Sequence, residues 1–342
     1  MSYKTHQPVL LQEVIKYLDP KPNQNFIDAT VGDGGHASEI LRHISPSGRV
    51  LGIDWDEEAI IGFGLDTGSN AREAEPPRTY YRSGIEPRPF DSAQGRSLIE
   101  SGRLVFKQGN FAQIKNIFSR SDFEGVDGIL FDLGLRTGQL EGGQGDERGE
   151  RGFSYKYDGP LDMRFDRFQP LTAGEIVNTW SEEELAKIFR ELGEERNYKK
   201  IARAIAAARE KNKITTTGEL VEILDKADRS HPSTIFGAGK SYKTNARIFQ
   251  ALRMAVNNEL ENLEAGLVGA WEILDSGGRL AVISFHSLED RVVKNFFKEK
   301  QIAGAGETLT KKPVRPSAEE IRANPRSRSA KLRVIQKIKN KE

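Results

Sequence analysis

No cysteine occurs in the 342 residues. Disulfide bonds and thiolate metal sites are therefore excluded, and a reducing compartment suits the chain. No apolar run approaches the ~20 residues a membrane-spanning helix needs. The N-terminus also lacks the apolar centre of a secretory signal. Net charge is nearly absent: 51 Lys and Arg stand against 50 Asp and Glu, a formal +1. The expectation is a soluble, cytoplasmic protein without membrane association, long enough for one large or two modest domains.

That near-neutrality hides an asymmetry. From Lys311 to Glu342, eleven Lys or Arg face three Glu, a net of +8 that leaves about −7 for the rest of the chain. A basic C-terminal segment on an otherwise acidic protein suits phosphate contacts, although a solvated tail is the plainer reading.

The most organised stretch runs from Asn25 to Asp54. Asn25–Ala29 has the composition of a short buried strand. A glycine-dense turn follows from Thr30 to His36, Ala37–Ile44 has the apolar spacing of a helix, and Arg49–Ile53 is a second strand ending on Asp54. Strand, glycine turn, helix, strand and acid make a βαβ unit suited to a nucleotide-like ligand. Glycines let the backbone approach such a ligand, the helix start offers unpaired N–H groups, and the acid can bridge two ribose hydroxyls. Gly32-x-Gly34-x-x-Ala37 also fits the dinucleotide fingerprint, so an oxidoreductase stays open here. Asp28 and Asp33 flank the turn and would repel a pyrophosphate, whereas the cationic methyl donor S-adenosyl-L-methionine would tolerate them. The alternative is that Asp28 merely caps the turn.

Further along, Arg103–Lys107, Gly128–Phe131 and Arg279–Phe285 have the composition of strands. In an open parallel sheet, ligands sit beyond the carboxyl ends of the strands. Phe111, Asp132 and the Ser284–Arg291 segment should therefore share a rim with Gly34 and Asp54, and Phe111 could stack on a purine or belong to the core. Residues 64–102 are rich in Gly, Pro, Ser, Arg and Glu without a period, which predicts a mobile insertion or, less simply, a lid. Gly152–Asp166 mixes aromatic, basic and turn residues, a mixture that suits unpaired bases and phosphates as well as an ordinary packed loop. Thr172/Glu175, Ser181/Glu184 and Thr216/Glu219 have capping-box spacing and open a helical block. One long amphipathic helix is expected over Ile248–Leu263. Thr308–Val314 and Lys331–Ile338 could pair as an antiparallel edge. The domains expected are residues 1–138 and 245–342 as an α/β fold and 139–244 as an inserted, mainly helical RNA-recognition domain.

Several longer motifs occur in order: His6-x-Pro-Val-Leu-Leu-x-Glu-Val14, Asp28-x-Thr-x-Gly-x-Gly-Gly-His36, Asp132-Leu-Gly134 with Gln139, Arg151-Gly-Phe-Ser154, Asp158-Gly-Pro-Leu-Asp-Met-Arg164, Phe249-Gln-Ala-Leu-Arg253, Ser284–Arg291 and Asn324–Lys331. Together they resemble the ribosomal RNA small subunit methyltransferase H (MraW-like) family, from about residue 5 to the C-terminus. The resemblance implies a class I (Rossmann-like) S-adenosylmethionine-dependent methyltransferase sheet with an inserted helical domain. It also implies N4-methylation of a cytosine in the decoding region of 16S ribosomal RNA within the small subunit; the sulfonium methyl is already a good electrophile, so no metal is required. The family's cofactor positions fall on Gly34, Gly35, His36, Asp54, Phe111, Asp132 and Gln139. The chain departs from the pattern at 64–102, 140–150 and about 235–246, which are longer than usual, and at Arg136-Thr-Gly138, which replaces Ser-Ser-Pro.

For such a reaction the amine must be aligned with the methyl group and its protons accepted. Asp132 and His286 are the candidate catalytic residues, and Arg164, Arg326, Arg328 and Lys331 are candidates for RNA phosphates. A non-catalytic RNA-binding or ribosome-assembly factor with the same fold is the alternative.

Overall fold

A strand sandwiched between two helical layers carries apolar side chains on both faces, so its sequence is a continuous hydrophobic run. The strands expected above have that character. The structure, a computed structural model, describes residues 8–56, 101–135, 151–227 and 240–338. Its contacts divide the chain into two units, Met1–Gly134 with Leu260–Glu342, and Leu135–Glu259. Residues 57–100, 136–150 and 228–239 lie outside the described residues. With them go the expected insertions at 64–102 and 140–150, except 101 and 102, and part of that at 235–246.

The first unit begins with α1 (Leu11–Leu18), β1 (Phe26–Asp28), α2 (Gly35–His43), β2 (Val50–Asp54), β3 (Leu104–Gln108), α3 (Ile114–Ser119) and β4 (Gly128–Asp132). The second unit holds α4 (Ala173–Thr179), α5 (Glu182–Glu191), α6 (Tyr198–Arg209), α7 (Thr217–Ala227) and α8 (Lys240–Asn257). The chain returns through α9 (Glu259–Ile273) to β5 (Arg279–Ser284), α10 (Ser287–Ile302), β6 (Gly306–Thr308), α11 (Ala318–Ala323) and β7 (Lys331–Lys337).

The seven strands form one sheet in the order β3-β2-β1-β4-β5-β7-β6. β1 to β5 run parallel, and β7 is antiparallel to both of its neighbours. Chain order reverses between β1 and β4, the kind of switch point where an α/β sheet opens a crevice at its carboxyl edge. This is the Rossmann-like α/β class expected from sequence. Ile27, Leu51, Ile129, Phe131, Leu280 and Val282 pack on one face with Leu263 and Leu267 of α9 and Val293 and Phe297 of α10. Phe26, Val50, Leu130, Ala281 and Ile283 pack on the other with α1 and α2. The period-2 alternation therefore supplies two cores rather than one core and a wet face.

In the second unit the expected caps form reciprocal hydrogen bonds at Thr172/Glu175, Ser181/Glu184 and Thr216/Glu219. Its core draws together Leu185, Phe189, Ile201, Ile205, Leu220 and Leu224. The single long helix expected over Ile248–Leu263 is two helices, because Asn258 adopts a left-handed φ of 47° between α8 and α9. Ile248, Leu252 and Val256 of α8 complete the second unit's core, so the boundary follows Glu259 where sequence reading placed it at 244. Among the described residues, no helix is long and apolar enough to cross a membrane.

Gly128 stands beside Phe26 in the β1–β4 register, and a Cβ there would overlap the fully buried Phe26 ring. Gly128→Ala should therefore lower unfolding free energy by about 1–3 kcal/mol, read from urea denaturation. An unchanged midpoint would show that the strand pair relaxes freely.

Candidate functional site

The site begins where the chain leaves β1. Ala29 N–H donates to the Leu130 carbonyl (2.9 Å), and Val31 N–H donates to that of Ile53 (2.9 Å), so the turn continues the pairing of β1 with both neighbours. The Thr30 hydroxyl accepts from Asp132 N–H at 2.6 Å and joins the ends of β1 and β4. Gly32 and Gly34 then take φ values of 51° and 78°, a region costly for residues with a Cβ. Gly34 is the cap residue of α2 without a side chain to bond the helix's first N–H groups. At Gly35 the requirement is space, since a Cβ there would run into the Pro8 ring.

Three carboxylates lie along this rim. Asp54 uses one oxygen to accept from Gly32 N–H and the other to accept from Asp56 N–H, both at 2.9 Å. It therefore fixes the glycine turn to the end of β2. Asp28 is buried, and burial pushes its carboxyl up to about 8; the Thr30 N–H opposes this shift, while the Asp132 and Asp54 charges add to it. His36 Nδ1 stands 3.7 Å from Asp132 Oδ2. His36 Nε2 lies 3.0 Å from the Val9 carbonyl, an acceptor only, so Nε2 carries the hydrogen. Nδ1 therefore faces the carboxylate, and the contact is attractive when a proton lies on one of the two groups. With Asp28 holding its proton at neutral pH, the charge of Asp54 and Asp132 is what repels a pyrophosphate and favours a cationic ligand.

The structure places Gly34, Gly35, His36, Asp54 and Asp132 along this one rim. Phe111 is half-buried, edge-on to Phe131 with ring centroids 5.4 Å apart, and close to Gly266. Gln139 and the Arg136–Gly138 segment lie outside the described residues, as does His6.

Other expectations change. His286, expected as a catalytic candidate, is the N-cap of α10, with Nδ1 accepting from Glu289 N–H and Nε2 3.0 Å from Glu289 Oε1. Arg164, expected at phosphates, is bound internally by Asp162 and by the carbonyls of Arg167 and Gln169. Lys331 sits 3.2 Å from Asp290, whose carboxylate also receives Arg333. Arg328 is exposed and Arg326 half-buried. Sequence reasoning missed that Pro8 and Val9 pack against the turn and that the Thr30 hydroxyl ties it to β4, and it missed Glu289, which caps both Phe285 and His286. Only the pattern Ser/His-x-x-Glu hinted at the last.

The model of the MraW methylase family matches residues 3–62 and 76–338. A ribosomal RNA small subunit methyltransferase H from Symbiobacterium thermophilum is 41% identical over 355 residues, covering 97% of this chain and 96% of the relative. The protein of the same description from Thermomicrobium roseum is 42% identical over 356 residues, covering 98% and 94%. That from Carboxydothermus hydrogenoformans is 39% identical over 349 residues, covering 98% of each.

Asp28 makes the rim's electrostatics measurable. Folded, it keeps its proton to about pH 8, whereas its ordinary value is 3.8. Between those values the folded state holds one proton more than the unfolded state, so Asp28 makes stability fall as pH rises, by up to about 1.4 kcal/mol per pH unit. Asp28→Asn should remove that component from urea unfolding of the ligand-free protein between about pH 5 and pH 7.5. An unaltered slope would mean that Asp28 is already ionised in the folded state.

Proposed function

The chain belongs to the MraW methylase family, and we propose that it methylates N4 of a cytosine in the decoding region of 16S ribosomal RNA, within the small subunit and in the cytoplasm, using S-adenosyl-L-methionine. The observation that carries this reading is the rim, where a left-handed glycine turn meets the Asp28, Asp54 and Asp132 carboxylates. These residues fit a cationic adenosine-containing donor. The positive-φ glycines keep Cβ atoms away from it, and Asp54 retains lone pairs for ribose hydroxyls beyond the two N–H groups it already accepts.

Bound S-adenosylmethionine supplies an electrophilic sulfonium methyl, so no Lewis acid is needed to activate it. Asp54 would hold the ribose, with Gly34, Gly35 and His36 lining the turn, Phe111 offering a ring edge and Gln139 completing the family's set. An exocyclic cytosine amine is a poor nucleophile because its lone pair is delocalised into the ring. Asp132, at the end of β4, accepts hydrogen bonds from that amine and takes up its proton as charge develops. His36 Nδ1 faces that carboxylate at 3.7 Å and would attract it when the ring is protonated. The base must be unpaired or flipped to reach the rim, and Arg326 and Arg328 hold its flanking phosphates.

Transfer of labelled methyl to 30S subunits, followed by mass spectrometry of the nucleosides, tests the activity and the position together. Label on RNA at a site other than cytosine N4 would refute the position, and binding without transfer would favour an assembly factor.

Asp54→Ala should raise the donor's Kd roughly 10- to 150-fold, the equivalent of about 1.5–3 kcal/mol for charge-assisted hydrogen bonds. Calorimetry at a temperature where the variant is folded reads this, and an unchanged Kd removes Asp54 from the site. Neutralising Arg326 and Arg328 together should weaken 30S binding and lower its salt dependence by up to about two counterions, with donor affinity intact. Equal loss of donor affinity would show that the segment is structural.

A further inference from the structure

Phe168 is the one aromatic side chain that is exposed among the described residues, at 86%. A single exposed apolar residue is ordinary by itself. What sets this one apart is the loop beneath it, whose main-chain groups are nearly all held. Arg164 donates through Nη1 to the carbonyls of Arg167 (2.9 Å) and Gln169 (2.7 Å), while its Nε and Nη2 grip Asp162 at 2.8 Å each. Arg151 donates to the carbonyls of Arg164 and Phe165. Buried Asn257 accepts from Phe165 N–H (2.8 Å) and donates to the Met163 carbonyl (2.8 Å). Asp166 Oδ1 accepts from Phe168 N–H itself, at 2.8 Å. The segment also opens on strain, because Met163, a fully buried non-glycine residue, is held at φ 61°. Strain and dense bracing together mark a conformation held for a use.

An exposed Phe on a slack loop would fold back onto nearby apolar surface. Here the main chain cannot shift to bury the ring, because two guanidinium groups and an amide fix it. The ring is thus preorganised outward, which lowers the entropic cost of binding a partner. Its chain neighbour Arg167 is exposed and cationic.

We propose that Phe168 is a stacking platform for an unpaired nucleobase of the RNA substrate, presented by the Arg164-braced loop. The proposal rests on the RNA-methyltransferase reading above. It also gives Arg164 a role other than phosphate contact: the guanidinium is a positioning group for the platform. A flat apolar face beside a guanidinium matches a base with its phosphate, since every base offers a π-face and every linkage a negative charge.

The test uses the full-length protein with 30S subunits and with a single-stranded decoding-region oligoribonucleotide. Phe168→Ala should weaken binding of both by about 5- to 150-fold, the range one stacked base commands, while leaving the melting temperature and donor Kd unchanged. Phe168→Trp should restore affinity and Phe168→Leu should not. In oligonucleotides carrying one abasic position at a time, a single position should weaken wild type yet cost nothing further in the Phe168→Ala variant. Arg164→Gln should weaken wild type and add little in the Phe168→Ala background. Unchanged RNA affinity on Phe168→Ala overturns the proposal, as does full rescue by Leu, which would indicate a protein-docking contact. If wild type binds neither RNA, the functional reading itself fails, and that outcome differs from a variant that matches a competent wild type.

Discussion

Three carboxylates at the ends of three neighbouring strands impose the constraint that organises the rim. Asp28 ends β1, Asp54 ends β2 and Asp132 ends β4. Like charges gathered in a partly buried crevice raise one another's proton affinity, and each is accommodated differently. Asp54 is satisfied by two backbone N–H donors. Asp132 has His36 beside it. Asp28, the most buried, keeps its proton to about pH 8. The proton kept on Asp28 thus removes part of the charge, and the charge of Asp54 and Asp132 that remains attracts a cation. The switch between β1 and β4 makes this charge arrangement possible, because it brings Asp28 and Asp132 onto adjacent strands more than a hundred residues apart in sequence.

That arrangement depends on residues remote from it in the chain. The His36 ring is oriented by the Val9 carbonyl, and the next residue, Leu10, donates its N–H to Glu320 Oε1 at 2.8 Å. Leu10 itself adopts a left-handed φ of 54°, so that the chain turns sharply into α1. Pro8 meanwhile covers Gly35. Burial and the nearby Glu13 push the Glu320 carboxyl up, against the Leu10 N–H that holds it down. A short N-terminal segment is therefore clamped between the glycine turn and α11, and the clamp sets the ring that faces Asp132.

Much of this architecture was legible in the sequence, because the rules that encode it are local. Apolar runs gave β1, β2, β4 and β5, glycine density gave the turn, and Ser/Thr-x-x-Glu gave three helix starts. Helix ends were less legible. Sequence periodicity began α2 at Ala37, but a left-handed Gly34 starts it at Gly35. Asn258 divides what periodicity joined, since an amide side chain tolerates αL and no pattern of apolar residues records it. The site was legible as a set of residue types and partly illegible as a set of roles. His286 has the chemistry of a proton relay, yet its position one residue before α10 makes it a cap: Nδ1 accepts from Glu289 N–H, and a Glu289 carboxylate oxygen lies 3.0 Å from Nε2.

The basic residues show most plainly where counting fails. Lys331 and Arg333 contribute to the C-terminal excess of charge, but both are engaged by Asp290, whose own carboxyl they hold below the usual range despite its burial. Arg164, in an aromatic and basic loop that suggests nucleic acid, turns its donors inward. A guanidinium presents five N–H groups in a rigid plane, so one Arg can fix several carbonyls of an irregular loop that no regular ladder satisfies. Composition counts such a residue as surface charge. The fold uses it as a substitute for secondary structure, and the same loop leaves Arg167 and the ring of Phe168 exposed.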